Sequence, residues 1–181
     1  MSSRAAALWV LVFVVLALVG GRIDLSGDEQ QSPEGSSQLG SAGQVVRIVD
    51  GDTVRVRIGD VTRTVRYIGV DTPETVKPNE PVQCFGKQAS AFNSRLVAGR
   101  RVRLQYGPER LDRYGRLLAY VYLAGSESRS VNARIVAEGY GRVLAIAPNT
   151  AHLRPYLRLE DRARSRRLGL WAACEYQPLE L

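Results

Sequence analysis

Histidine, lysine, cysteine and aromatic residues are all scarce in this chain of 181 residues. The scarcity of histidine and cysteine limits which catalytic and metal sites the chain can form. The single histidine, His152, excludes an acid–base pair of two histidines, and its position at the head of a predicted helix favours a structural role. The two cysteines, Cys84 and Cys174, are too few and too far apart to form a zinc set. No internal repeat is present, so the sequence argues against an array of small modules.

The positive charge is carried almost entirely by arginine and is unevenly distributed. Residues 1–43 contain two basic and four acidic groups, whereas the remainder contains 23 basic and 14 acidic groups. A hydrophobic content of 45% suits one buried core and therefore one folded domain. A basic domain attracts polyanions, and charge alone is compatible with either nucleic acid or an anionic membrane.

The N-terminal residues predict export from the cytoplasm. A short positive start precedes the apolar run Ala5–Gly21, so residues 1–23 are interpreted as a signal peptide or an uncleaved membrane anchor. Residues 24–43 are rich in Ser, Gly, Gln and acids and predict a flexible linker. In an exported chain the even cysteine count favours a disulfide between Cys84 and Cys174. We therefore expect an extracytoplasmic protein that is secreted or anchored to the membrane.

Three short motifs supply the chemistry that hydrolysis of a phosphodiester requires. They are Val49–Thr53 (VDGDT), Val65–Thr75 (VRYIGVDTPET) and Asp112–Arg116 (DRYGR). Carboxylates in the first two motifs can hold a divalent cation, and arginines in the last two can hold a phosphate. The first two motifs also have ordinary structural interpretations: a hairpin turn for Asp50-Gly51-Asp52, a strand exit at Pro73, and a solvated strand face for Arg66.

The periodicity predicts an α+β domain over residues 44–176, followed by a tail at 177–181. Five segments alternate as strands do, and three further segments are typical of helices. The predicted strands are Gln44–Val49, Thr53–Ile58, Thr62–Val70, Arg101–Tyr106 and Arg116–Leu123; the predicted helices are Gly86–Ala98, Ser130–Glu138 and a last helix capped by Asn149 or Thr150 and continuing through Arg167. Five strands with three helices fit a five-stranded OB-fold β-barrel.

The ordered set of motifs from about Val45 to Trp171 resembles the thermonuclease family, the staphylococcal or micrococcal nuclease-like proteins. Besides the three motifs it includes Gly86-Lys87-Gln88-Ala89, Leu118-Ala119-Tyr120, Val131-Asn132, Pro148-Asn149 and Leu170-Trp171. The resemblance implies an OB-fold barrel with calcium-dependent endonuclease activity on DNA and RNA, acting as a monomer.

The resemblance also implies a role for each residue of the motifs. Asp52, Asp71 and the carbonyl oxygen of Thr72 would bind Ca²⁺, and Glu74 would orient or deprotonate the attacking water. Arg66 and Arg116 would hold the phosphate, with Arg116 also near the leaving 5′-oxygen. Tyr114 and Arg113 would contact the substrate. The resemblance thus implies three groups of residues: catalytic Arg66, Glu74 and Arg116; metal-binding Asp52, Asp71 and Thr72; and substrate-binding Arg113 and Tyr114.

The chain departs from the resemblance where base-stacking tyrosines are expected, because Ala145 and Ala147 stand there. Stacking on aromatic rings contributes about 1–3 kcal/mol per base, so base preference is expected to differ. Tyr140 lies nearby but is expected to be a buried aromatic. Two alternatives stay open at this point: an inactive nuclease-like module that only binds nucleic acid, and an anchored surface protein whose basic face binds an anionic polymer or lipid.

Overall fold

The computed structural model describes residues 40–75, 82–125 and 129–174. The predicted signal or anchor segment, most of the predicted linker and the predicted C-terminal tail lie outside these ranges. No helix within the described ranges is long and apolar enough to cross a membrane.

The described residues form a closed five-stranded barrel with helices around it, which confirms the predicted fold class. The barrel order is β1-β2-β3-β6-β5, and two short strands, β4 and β7, pair as a separate small sheet. The strands are β1 Ala42–Ile48, β2 Thr53–Ile58, β3 Val61–Tyr67, β4 Val70–Asp71, β5 Arg101–Leu111, β6 Leu117–Leu123 and β7 Arg142–Val143. The helices are α1 Gly86–Val97, α2 Val131–Ala137, α3 Leu153–Ser165 and α4 Leu170–Ala173.

Alternation of apolar and polar residues decides which face of each barrel strand is buried. In β2, Val54 and Val56 are fully buried in the core, while Arg55 and Arg57 are exposed on the outer face. Because successive side chains of a strand point to opposite faces, the apolar set fills the barrel and the arginines line its exterior. The same alternation in the other strands places Val65 and Leu104 in the same core.

Barrel closure depends on one parallel pair between strands that are distant in sequence. β3 runs parallel to β6, with Val65 opposite Leu117 and Arg66 opposite Leu118. The side chain of Asn132 reinforces this junction, since its Nδ2 donates to the carbonyl oxygens of Ile68 (2.9 Å) and Ala119 (3.1 Å). Its Oδ1 accepts a hydrogen bond from the amide of Val121 at 2.9 Å. The start of α2 is thereby fixed to the last barrel strand.

The structure corrects several predicted boundaries, most by one or two residues and three by more than that or with a change in chain direction. β3 ends at Tyr67 rather than Val70, since Gly69 adopts φ +78° and the chain turns into β4. β5 continues to Leu111 because Leu111 still pairs with Leu117 of β6. The last long helix ends at Ser165, and Arg167 has a left-handed φ of 50° that a continuing helix does not allow. The short helix α4 was not predicted.

The predicted cap of the last long helix is also wrong. α3 begins at Leu153, so that His152 occupies the cap position and makes no side-chain cap hydrogen bond. The Asn149 side chain instead accepts from the Glu109 amide (3.1 Å) and donates to the Glu109 carbonyl oxygen (2.9 Å). Thr150 contributes its carbonyl oxygen, which accepts from Leu153 N at 3.0 Å. His152 packs its ring edge-on against Tyr120, as expected for a structural histidine.

Candidate active site

The hairpin between β1 and β2 holds Asp52 in a buried position. Asp52 is only 4% exposed, and its carboxylate accepts hydrogen bonds from the amide and the hydroxyl of Thr72 at 2.7 and 2.8 Å. The close approach requires Gly51, because a Cβ at that position would lie 2.5 Å from the Thr72 hydroxyl oxygen. The glycine of the VDGDT motif therefore lets the Asp71-Thr72 segment approach this acid directly.

Arg66 joins the two predicted metal-binding acids. Its guanidinium contacts Asp52 Oδ1 through one terminal nitrogen, and the other donates to Asp71 Oδ1 at 2.7 Å. It also donates to the carbonyl oxygen of Val70 at 3.1 Å. Burial by itself would lower the pKa of Arg66, but the negative charges of Asp52 and Asp71 outweigh it and raise the pKa. Arg66 is therefore a fixed positive charge between the two carboxylates.

Asp50 is a third acid beside Asp52 and Arg66. From the sequence it is expected only to form part of a turn. Burial first, and then repulsion from Asp52, raises the pKa of Asp50 to about 7. Burial likewise raises the pKa of Asp71, although the charge of Arg66 opposes it. The negative charge collected here thus exceeds what one guanidinium compensates.

The donor set fits a hard divalent cation such as Ca²⁺. Asp52, Asp71 and the main chain of Thr72 offer carboxylate and carbonyl oxygens, and the excess negative charge favours a cation. In the part of the chain that the structure describes, no three acidic, histidine or cysteine side chains form a metal cluster by themselves. A cation bound by the predicted set would have two carboxylates, one carbonyl oxygen and water as its ligands.

Glu74 lies in the loop that follows β4, beside these acids. Its main chain is held by Gln83. The side-chain Oε1 of Gln83 accepts from Glu74 N at 2.9 Å, and the main-chain N–H of Gln83 donates to Glu74 O at 3.0 Å. In this structure its carboxylate accepts from the amide of Thr75 at 2.8 Å. The negative charge of Glu74 is close enough to Asp71 to contribute to the raised pKa of that acid.

The loop that carries Glu74 is fixed at its far end by a disulfide. Cys84 and Cys174 are bonded, with their Cα atoms 6.0 Å apart and a sequence separation of 90. The predicted bridge is therefore present in the structure. Gly86, at the start of α1, also packs closely there, because a Cβ would lie 2.8 Å from the carbonyl oxygen of Glu74.

The second arginine is positioned by the turn between β5 and β6. Asp112 Oδ1 accepts from the amides of Tyr114 and Arg116, both at 2.9 Å, and its Oδ2 accepts from Arg116 Nε at 2.5 Å. Burial by itself would raise the pKa of Asp112, but these hydrogen bonds hold it below its ordinary value. The DRYGR motif is thus a turn whose first residue orients the side chain of its last.

Tyr114 and Arg113 lie on the outer side of this turn. The Tyr114 ring is 67% exposed, with the Arg113 guanidinium 4.8 Å and the Arg116 guanidinium 5.3 Å from its centre. Arg113 also donates to the Tyr114 hydroxyl oxygen at 2.6 Å. An exposed ring beside two guanidinium groups can contact a base or a sugar while the arginines contact phosphate.

Arg66 and Arg116 line one cavity of about 510 Å³. The parallel pairing of β3 with β6 brings them together, because Arg66 is opposite Leu118 and Arg116 immediately precedes β6. Arg113 and Tyr114 line the same cavity. The four predicted phosphate- and substrate-contacting residues therefore face one space, with the acids adjacent to it at Arg66.

The apolar wall of this cavity differs from the sequence expectation. Leu144 and Ile146 line it, and Ile146 is 58% exposed, whereas the predicted positions Ala145 and Ala147 are not among its lining residues. Tyr140 stacks on Phe92 with ring centres 3.9 Å apart and packs against the core, although it is half-buried rather than buried. The cavity thus offers aliphatic surface on one side and the Tyr114 ring on the other.

Comparison with known proteins agrees with this geometry. A family profile described as staphylococcal nuclease homologue matches residues 64–173. The chain is 37% identical over 166 residues to a thermonuclease of Staphylococcus hyicus, covering 90% of this chain and 95% of that protein. It is 42% identical over 132 residues to the endonuclease YncB of Bacillus subtilis (strain 168), covering 72% of this chain and 61% of the relative.

Proposed function

Since the chain belongs to the staphylococcal nuclease homologue family and is a nuclease, we propose that it is an exported, calcium-dependent endonuclease that hydrolyses DNA and RNA. One observation carries the proposal: Arg66 contacts Asp52 and Asp71 and, together with Arg116, lines a cavity. The acids provide oxygen ligands for a metal and the arginines provide donors for a phosphate. The alternatives of an inactive module or a polymer-binding surface give no reason for this combination.

The arginines stabilise the charge that develops at phosphorus. Water attacks the phosphorus atom, the bond from phosphorus to the 5′-oxygen breaks, and the electron pair leaves with that oxygen. Planar guanidinium groups can donate two hydrogen bonds each to the equatorial oxygens, and such donors are most valuable when they are already oriented. Asp112 provides this orientation for Arg116, and Asp52 and Asp71 provide it for Arg66.

The acids serve the metal and the water. Asp52, Asp71 and the carbonyl oxygen of Thr72 would hold Ca²⁺, which when bound neutralises the carboxylates and polarises the phosphate. Glu74, in the loop beside them, either accepts the proton of the attacking water or orients that water. Tyr114 and Arg113 contact the substrate on the outer side of the cavity. A monomer contains every one of these groups.

The proposed export is supported by the disulfide between Cys84 and Cys174. Disulfides persist in oxidising compartments and are rare in the cytosol. An extracytoplasmic location, either secreted or membrane-anchored through residues 1–23, agrees with this bond.

Cleavage of plasmid DNA and of RNA, with calcium and with a calcium chelator, tests the proposed function. We expect calcium-dependent cleavage by the natural chain and loss of most activity in Asp52→Ala. Asp60→Ala is the matched control, because Asp60 is an exposed acid in the turn between β2 and β3. Thermal melting of both variants checks that the fold is retained. Full calcium-dependent activity in Asp52→Ala, or cleavage by the natural chain that ignores the chelator, would contradict the assignment.

A further inference from the structure

Two arginines face each other on the outside of the barrel. Arg47 of β1 is directly opposite Arg55 of β2, and both side chains are exposed. Like charges directly opposite one another in an antiparallel pair destabilise a sheet. Among the described residues neither arginine has an ion-pair partner. The two positive charges weaken the folded state, and no acidic side chain compensates them. We therefore expect an anion from outside the protein to compensate their charge.

The pair continues a line of residues that begins at the candidate active site. Thr53 is opposite Arg66, Arg55 is opposite Thr64, and Arg57 is opposite Thr62. Because residues two apart in a strand share a face, Thr53, Arg55 and Arg57 lie on the same outer face as Arg66. Each step along this face covers about 6.8 Å. We call Arg47, Arg55 and Arg57 the arginine track.

We infer that the arginine track binds the phosphate backbone of a polynucleotide on one side of the bond being cleaved, which rests on the proposed nuclease function. A dinucleotide has only the one phosphodiester that is held in the cavity, so it would offer the track no phosphate, whereas a longer strand would place further phosphates along it. The nuclease would therefore act more efficiently on long strands than on short ones, through binding rather than through the chemical step.

The composition of the track favours a phosphate backbone. Arginine is suited to phosphate, and the hydroxyl groups of Thr62 and Thr64 stand at the paired positions. No aromatic residue belongs to the track, so bases would not stack on it. Continuity with Arg66 allows one polymer to contact the track and the cavity together, whereas binding to a lipid surface gives no reason for that continuity.

The test compares Arg47→Gln/Arg55→Gln with Arg154→Gln/Arg158→Gln. Arg154 and Arg158 are exposed on α3 and have no ion-pair partner among the described residues, so the control removes the same charge from another face. Binding of a 30-nucleotide single strand and of phosphatidylglycerol vesicles is measured in calcium-free buffer at several salt concentrations. Steady-state cleavage of that strand and of a dinucleotide is measured with calcium.

The expected effect follows from counterion release. Each phosphate contact with a single strand contributes about 0.7 to the slope of log affinity against log salt. Losing two contacts should lower the slope by about 1.4 and weaken binding about 25-fold at about 0.1 M salt. On the long strand KM should rise while kcat at saturation is kept, and on the dinucleotide KM should not change. The melting temperature should stay equal or rise, since the opposed charges are gone.

Several outcomes would overturn the inference. An unchanged salt slope and an unchanged KM for the long strand would show that the track does not touch the strand. An equal loss of strand binding in the α3 control would show that only the total charge matters. A loss confined to binding of phosphatidylglycerol vesicles would assign the track to a membrane. If the natural chain cleaves nothing, the proposed function fails, and the calcium-free binding data still decide whether the track holds nucleic acid.

Discussion

Replacing Asp112 by asparagine tests whether the orientation of Arg116 matters for turnover. The carboxylate of Asp112 accepts two amide hydrogen bonds at Oδ1 and the Arg116 Nε hydrogen bond at Oδ2. The amide of asparagine can keep its oxygen at the Oδ1 position and preserve the turn. Its NH₂ group then faces Arg116 Nε, so a donor meets a donor and the guanidinium loses its anchor.

The magnitude follows from the one charged hydrogen bond that is lost. Such bonds contribute about 1.5–3 kcal/mol, and the lower end applies because the Arg116 side chain is 32% exposed. The folded state loses about 1.5 kcal/mol, and an equal loss of transition-state stabilisation through the misoriented Arg116 slows kcat about tenfold. The same loss lowers the melting temperature by about 3–6 °C. KM for a short substrate should change little, because many groups contribute to ground-state binding.

The pH dependence of stability provides an independent measurement. The pKa of Asp112 is lowered in the folded protein, so its ionised form stabilises the fold above the ordinary aspartate range. That contribution is lost as the pH falls through the lowered pKa. The difference in the free energy of unfolding between the natural chain and Asp112→Asn should therefore be full above about pH 5 and shrink below about pH 4.

Asp161→Asn is the matched control, since Asp161 is an exposed acid on α3 with the same side chain. We expect it to leave kcat unchanged. Natural turnover in Asp112→Asn would refute the claim that Asp112 orients Arg116 for catalysis. A stability difference that persists undiminished at pH 2 would refute the electrostatic part of the reasoning.

Two further predictions concern Arg116 itself and the disulfide. Arg116→Lys keeps the charge but loses the planar pair of donors, so kcat should fall about 100–1,000-fold. The affinity for DNA in calcium-free buffer should hardly change. Equal losses in binding and in cleavage would indicate a simple electrostatic anchor instead. Cys84→Ser/Cys174→Ser opens a bridge that spans 90 positions, so the free energy of unfolding should fall by up to about 4–5 kcal/mol in denaturant melts. Thiol titration of the unreduced, denatured natural chain should find no free thiol, and two free thiols would contradict the bridge.

The strands and the principal charged residues could be predicted because their signals are local. Alternation over six or seven residues places Val54 and Val56 inside and Arg55 outside without knowledge of the partner strand. The spacing in Asp112–Arg116 similarly identifies a turn that ends in an arginine. Such patterns depend on neighbours a few residues away, and the sequence displays them directly.

The remaining features depend on partners that are distant in sequence. Asn149 has the chemistry of a helix cap, but it binds the main chain of Glu109, 40 positions away. Asp50 resembles a turn residue until burial beside Asp52 is known. Leu144 and Ile146, rather than their alanine neighbours, line the cavity. This could not be predicted, because β7 is only two residues long and its pattern is too short to assign a face.

The parallel pairing of β3 with β6 also has a consequence for folding. The β1–β2–β3 meander is local in sequence and contains Asp52 and Arg66, but Arg116 joins them only when β6 pairs with β3 across about fifty intervening residues. Long-range pairing costs loop entropy before its contacts compensate it, and it is slow compared with hairpin formation. A chain with only its hairpins formed would hold Asp52 and Arg66 in the meander and Arg116 in the β5–β6 hairpin, without a shared cavity. Nuclease activity during refolding should therefore report closure of the barrel, and appear later than the β-sheet signal of the meander.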